Sequence, residues 1–91
     1  MNKTLILVVE DDRPIRNLIV TTLKTHDYKY LTAENGTTAI MEASSHQPDI
    51  ILLDLMLPKM DGLEVCQQVR EFSDVPIVML TAKGDDMDKI L

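Results

Sequence analysis

Apolar residues fall along this chain in two kinds of block. Leu5 to Val9, Ile50 to Leu53 and Ile77 to Leu80 are short, uninterrupted and rich in β-branched side chains. That is the pattern of strands buried on both faces of a parallel sheet. Tyr28 to Ala33 is of mixed polarity and reads as a strand at a sheet edge. Between these runs the apolar positions recur at helical spacing. Ile15, Leu18, Ile19 and Leu23 mark a first helix, capped by Asp12, with Pro14 in its first turn and an end near His26. Asn35 and Gly36 break the chain before a second helix from Thr37 to Ser45, which carries Ala39, Ile40 and Ala43 and stops at Gln47 and Pro48. Leu63, Cys66, Val69 and Phe72 mark a third helix after the loop Leu55 to Asp61. Pro76 opens the fourth strand, and Asp85, Asp86 and Asp88 begin a fourth helix.

Strands alternating with helices over short connections predict an α/β fold with a parallel sheet and right-handed crossovers. In such sheets ligands sit beyond the carboxyl ends of the strands, near a topological switch point. Two acidic features lie at such ends. Glu10, Asp11 and Asp12 follow the first strand, and Asp54 closes the third. If those strands are neighbours, the carboxylates converge into a hard-cation site, and hard-cation sites of this kind serve phosphoryl chemistry. Two carboxylates brought together without a cation repel and raise each other's pKa. A solvated acidic turn accounts for Asp12, whose main role is the helix cap.

Composition narrows the classes further. Ninety-one residues, 45% hydrophobic and 26% charged, suit one small globular domain. A net charge of −6 argues against direct contact with a nucleic-acid backbone, which calls for clustered Lys and Arg. The aromatic residues Tyr28, Tyr30 and Phe72 do not interleave with basic residues as a base-stacking surface would. The lone Cys66 has no partner for an internal disulfide and falls on the apolar side of its helix. The N-terminal apolar run ends at Glu10, short of a signal peptide or membrane span, so a cytoplasmic location is expected. His26 and His46 fall near helix ends, where an imidazolium suits the macrodipole better than it suits a metal.

Three segments, LILVVEDD (Leu5 to Asp12), PDIILLDLMLPKMDG (Pro48 to Gly62) and VPIVMLTA (Val75 to Ala82), in this order and spacing resemble the receiver domain of bacterial two-component response regulators. LMLPKMDG and VPIVMLTAKGDD are similar to the OmpR-like group, whose members carry a winged-helix DNA-binding domain after the receiver. The resemblance implies a doubly wound, flavodoxin-like sheet of strand order 2-1-3-4-5, an order that is a known property of the family and not a product of the spacing. It implies that Asp54 is a nucleophile that becomes an aspartyl phosphate. Asp11 and Asp54 would bind Mg2+ directly, or Mn2+ in its place, with Glu10 acting through water and Met56 through its backbone carbonyl. Thr81 would be the switch hydroxyl. Met56 and Lys83 occupy positions that tune the lifetime of the phosphoryl group in the family, whereas Lys59 and Asp61 take no assigned role.

The implied partner is a sensor histidine kinase. The implied output is transcriptional, through an effector domain outside this segment, with no direct contact to DNA and none to membrane. A complete receiver continues through a fourth helix, a fifth strand bearing a lysine, and a fifth helix. Lys83 and Lys89 stand elsewhere in the pattern. The chain is therefore expected to be a receiver truncated after strand four and the start of helix four, forming one unit over residues 1–91. Such a unit should expose apolar surface and associate as a homodimer or domain-swapped oligomer. Two other functions compete. A Mg2+-dependent phosphohydrolase also uses a strand-end Asp, but it usually has a second Asp two residues later, where this chain has Met56. An interaction module with a vestigial acidic pocket is the other.

Overall fold

The structure is a computed structural model that describes residues 4–54, 57 and 60–80. Seven elements alternate along it: β1 Leu5–Val9, α1 Arg13–Thr25, β2 Lys29–Ala33, α2 Gly36–His46, β3 Ile50–Asp54, α3 Gly62–Arg70 and β4 Ile77–Leu80. The strands form one parallel sheet of order β2-β1-β3-β4. The reversal of strand order falls between β1 and β3, where Val9 stands opposite Leu53. Glu10 and Asp54 follow in step, so the two acidic segments leave the sheet side by side. Met56, Lys59, Thr81, Lys83, Lys89 and the expected fourth helix lie outside the described residues.

Side chains of β1 alternate between two cores, as a strand covered on both faces requires. Leu7 and Val9 point into the larger core with Ile51, Leu53, Val65, Val69 and the alanines of α2. Ile6 and Val8 point the other way, toward Leu23 and Ile19 of α1. On the larger side the helices approach closely. A Cβ on Gly36 would lie 2.7 Å from Val65 Cγ2 and 3.0 Å from Met60 Cβ and Sδ, so only glycine permits this contact at the start of α2.

Helix ends are set by local chemistry. Asp12, Asn35 and Asp61 each accept a hydrogen bond from the backbone N–H three residues on, capping α1, α2 and α3 at 2.9–3.0 Å. Helix α1 stops where Asp27 turns to φ 63°, letting Asp27 N–H donate to Lys24 and Tyr28 N–H to Leu23. Helix α2 stops at Gln47 with φ 48°, just before Pro48.

The helix faces differ in part from the sequence expectation. Ile15 and Leu18 are 45% and 68% exposed, and the inner stripe of α1 runs instead through the half-buried Arg16, Ile19 and Val20 to the buried Leu23. Helix α1 packs chiefly on β1 and β2, and this seat leaves the flank with Ile15 and Leu18 toward solvent. In α3, Leu63 points to solvent and Phe72 lies past the helix end, half-exposed. Contact with the small residues of α2 selects Gly62, Val65 and Val69 as the inner face. Cys66 is half-buried beside that face. Helix α2 begins one residue earlier than expected, at Gly36, because Asn35 is its cap, and it ends at His46. Strand β2 starts at Lys29, since Tyr28 is taken by the turn that closes α1.

Candidate functional site

The carboxyl ends of β1 and β3 bring Glu10, Asp11 and Asp54 together, with one ligand oxygen from each within 4.8 Å of the others. Glu10 and Asp54 are buried, each 5% exposed, and Asp11 faces solvent. Burial follows from position. Asp54 is the last residue of β3, one place beyond the fully buried Leu53, and Glu10 follows the equally buried Val9. Asp11, at the apex of the turn, is the open side.

Backbone contacts hold the β1–α1 turn in shape. Glu10 N–H donates to the Ala33 carbonyl at 3.0 Å, which ties the turn to the end of β2. The Glu10 carbonyl accepts from Arg16 Nη1 at 2.9 Å, and Glu10 Oε2 accepts from Asp12 N–H at 3.1 Å. Asp12 in turn caps α1 through Ile15 N–H. Asp12 therefore faces the helix and takes no place among the converging acids, as the pattern predicts.

Clustering costs energy at Glu10, whose pKa is pushed up to about 7. Burial is the largest cause. The hydrogen bond from Asp12 N–H opposes it, while a hydrogen bond with Asp54 and the charges of Asp54 and Asp11 add to the rise. Burial and the neighbouring carboxylates thus favour the protonated form of Glu10. A divalent cation would take the place of that proton. Three carboxylates with an open side and no nitrogen or sulfur donor suit a hard, oxygen-seeking ion that keeps part of its water shell. Among the expected site residues Glu10, Asp11 and Asp54 are brought together, and Met56 and Thr81 lie outside the described residues.

Neither histidine is near this group in the chain's fold. His26 caps α1, its Nδ1 2.9 Å from the Thr22 carbonyl, and His46 ends α2 with Nδ1 3.1 Å from Glu42 Oε1. Sequence reasoning overlooked Arg16. Its signal was a basic residue in register with Ile19 and Leu23 on the inner stripe of a helix.

The comparisons with known proteins agree with this geometry. The sequence model of the response regulator receiver domain matches residues 6–90. The chain belongs to the response regulator receiver family. It is 47% identical over 89 residues to the transcriptional regulatory protein ResD of Bacillus subtilis, covering 98% of this chain and 37% of that protein. The alkaline phosphatase synthesis transcriptional regulatory protein PhoP of the same organism is 47% identical over 92 residues, covering 100% and 38%. The chain thus spans little more than a third of the length of these relatives. Among solved structures, the BeF3-activated N-terminal receiver domain of Klebsiella pneumoniae RstA superposes with a TM-score of 0.83 at 36% identity, covering 93% of this chain and 73% of that one. Thermotoga maritima TrrA, solved in complex with Mg(2+)-BeF, gives a TM-score of 0.83 at 36% identity, covering 93% and 75%.

A receiver is a phosphoacceptor signalling domain, and that class of function comes to this chain with the family. The described strands reproduce the first four positions of the receiver sheet. Among the described residues, no helix is long and apolar enough to cross a membrane.

Proposed function

We propose that Asp54 is the phosphoacceptor of this receiver and takes its phosphoryl group from the phosphohistidine of a sensor histidine kinase. The observation that carries the reading is the convergence of Glu10 and Asp11 on a buried carboxylate at the end of a central strand. Asp11 and Asp54 would hold Mg2+, or Mn2+ in its place, with Glu10 assisting through water. When bound, the cation neutralises both anionic partners and lets a carboxylate approach a phosphoryl group. An oxygen of Asp54 forms the new P–O bond as the P–N bond breaks, and the electron pair leaves with the imidazole. The backbone carbonyl of Met56 would add a further oxygen ligand, and Thr81 would serve as the switch hydroxyl. Both assignments rest on their places in LLDLM and VMLTA.

TrrA, solved with Mg(2+)-BeF, supports the pairing of a divalent cation with a phosphoryl-like group on this fold. The names of ResD and PhoP support a transcriptional output. That output belongs to an effector domain outside this segment, whose own charge of −6 is unsuited to DNA. The chemistry is that of a regulatory acceptor modified once per signal, not of a turnover enzyme, and it operates in the cytoplasm. Ile15 and Leu18, exposed on α1 just beyond the acidic turn, offer the kinase an apolar foothold. The same exposed flank favours self-association, as a homodimer or by exchange of elements.

Intact-mass spectrometry after incubation with Mg2+ and acetyl phosphate tests the central claim. The parent should gain one phosphoryl increment, and neither Asp54→Asn nor a sample in EDTA should. Equal labelling of Asp54→Asn would move the acceptor elsewhere.

A further inference from the structure

We infer that Arg16 is a positioning residue for the cation-binding acids: its guanidinium fastens the peptide between Glu10 and Asp11 and so sets where the Asp11 carboxylate stands relative to Asp54. This rests on the reading of Glu10, Asp11 and Asp54 as a divalent-cation site.

Arg16 is the one basic residue among the described residues that is not exposed. Arg13, Lys24, Lys29 and Arg70 all face solvent. Its side chain is 12% exposed and sits on the inner stripe of α1, where an apolar residue would be the ordinary choice. Two contacts hold it there. Nη1 donates to the Glu10 carbonyl at 2.9 Å, and Nη2 lies 4.0 Å from Glu34 Oε2. The second contact explains little, because the Glu34 side chain is 71% exposed and an ion pair at that range in water is weak. The first is charge-assisted and partly buried.

What it fixes follows from peptide geometry. The Glu10 carbonyl lies in the same plane as Asp11 N and Asp11 Cα, so a hydrogen bond that orients the carbonyl orients the origin of the Asp11 side chain. Glu10 N–H is already held by Ala33, and Asp12 is held by its cap. With Arg16 in place, Asp11 is flanked by anchored neighbours on both sides. A positive charge brought to an acidic turn competes with any cation that the acids are to bind, so charge alone gives no reason to place it there. What Arg16 contributes at the turn is therefore the direction of its hydrogen bond to the Glu10 carbonyl.

The two effects separate in one experiment, the binding of Mn2+ followed by electron paramagnetic resonance of the free ion, with thermal melts of each variant alongside. In the parent, Mn2+ should bind, and Asp11→Ala should abolish binding. Arg16→Met should weaken Mn2+ binding about tenfold, the usual cost of losing an outer partner of a metal ligand, even though a positive charge has been removed. Arg16→Lys, which keeps the charge but not the planar fork, should also weaken it. It carries the comparison if Arg16→Met melts too low to assay. Glu34→Gln should leave affinity unchanged. Tighter or equal binding by Arg16→Met or Arg16→Lys, with parent-like Asp11 dependence, would overturn the role of Arg16 alone. No binding by the parent would overturn the cation site, and this inference with it.

Discussion

Glu10 shows how a single proton reports on the whole site. Its carboxyl is held at about 7 by burial and by Asp54, against 4.5 when free. The folded chain therefore keeps a proton that the unfolded chain gives up at lower pH. With a raised pKa, the stability associated with this group is fully present below about 4.5, falls as pH rises through the window from 4.5 to about 7, and is lost above it. Urea melts in EDTA should thus show lower stability at about pH 8 than at about pH 5.5, and Glu10→Gln should remove most of the difference. Saturating Mg2+ should flatten the profile as well, because the cation displaces the proton. A parent profile already flat in EDTA would refute the raised pKa of Glu10. The identity of the three acids was legible in the sequence, since each closes an apolar run. Which of them would hold the proton was not, because that depends on the burial of Glu10 and on its hydrogen bond with Asp54, neither of which is a property of spacing. Arg16 was illegible for a related reason: a lone basic residue in a helix is normally solvated.

Elements were legible where local chemistry sets them. Asp12 as a cap, the four strands and the stops at His26 and Gln47 follow from capping, β-branching and proline, all of which act over a few residues. Rotation of the helices was harder to read. Periodicity gives the spacing of an apolar stripe but not its alignment with the strip of sheet beneath it, so Ile15, Leu18 and Leu63 were assigned to faces that turn outward. Close approach of α2 and α3 likewise depends on both partners. Gly36 lies under Val65 and Met60, and the extra methyl of Gly36→Ala would meet Val65 Cγ2 at 2.7 Å. Despite the higher helix propensity of alanine, this variant should lose about 1–3 kcal/mol to overpacking. Val65→Ala should recover part of that loss in the double variant, read as a denaturant midpoint. A Gly36→Ala protein as stable as the parent would mean that the start of α2 moves away at no cost.

For the molecule as a whole, the order β2-β1-β3-β4 places the site, since the switch point between β1 and β3 is where the two acidic segments emerge together. On the face served by α1 the cover is thin: Ile50, Leu52 and Val78 are only half-buried, and Ile15 and Leu18 stand clear. The 91-residue chain should therefore self-associate at concentrations of about tens of micromolar, and Leu18→Glu should shift it toward monomer in sedimentation velocity. A parent that sediments as a monomer throughout that range would contradict this. The sheet order has a further consequence for biosynthesis. Of the four described strands, the first to be synthesised is the one that ends at the centre, bonded on one edge to residues 29–33 and on the other to residues 50–53. LILVV, a β-prone stretch without charge or proline, has both edges bare until residues 29–33 emerge and one edge bare until the third strand has been made. Among the described strands, this one waits longest for its full set of partners. Chaperones that bind nascent chains should find their main target there, ahead of any later strand.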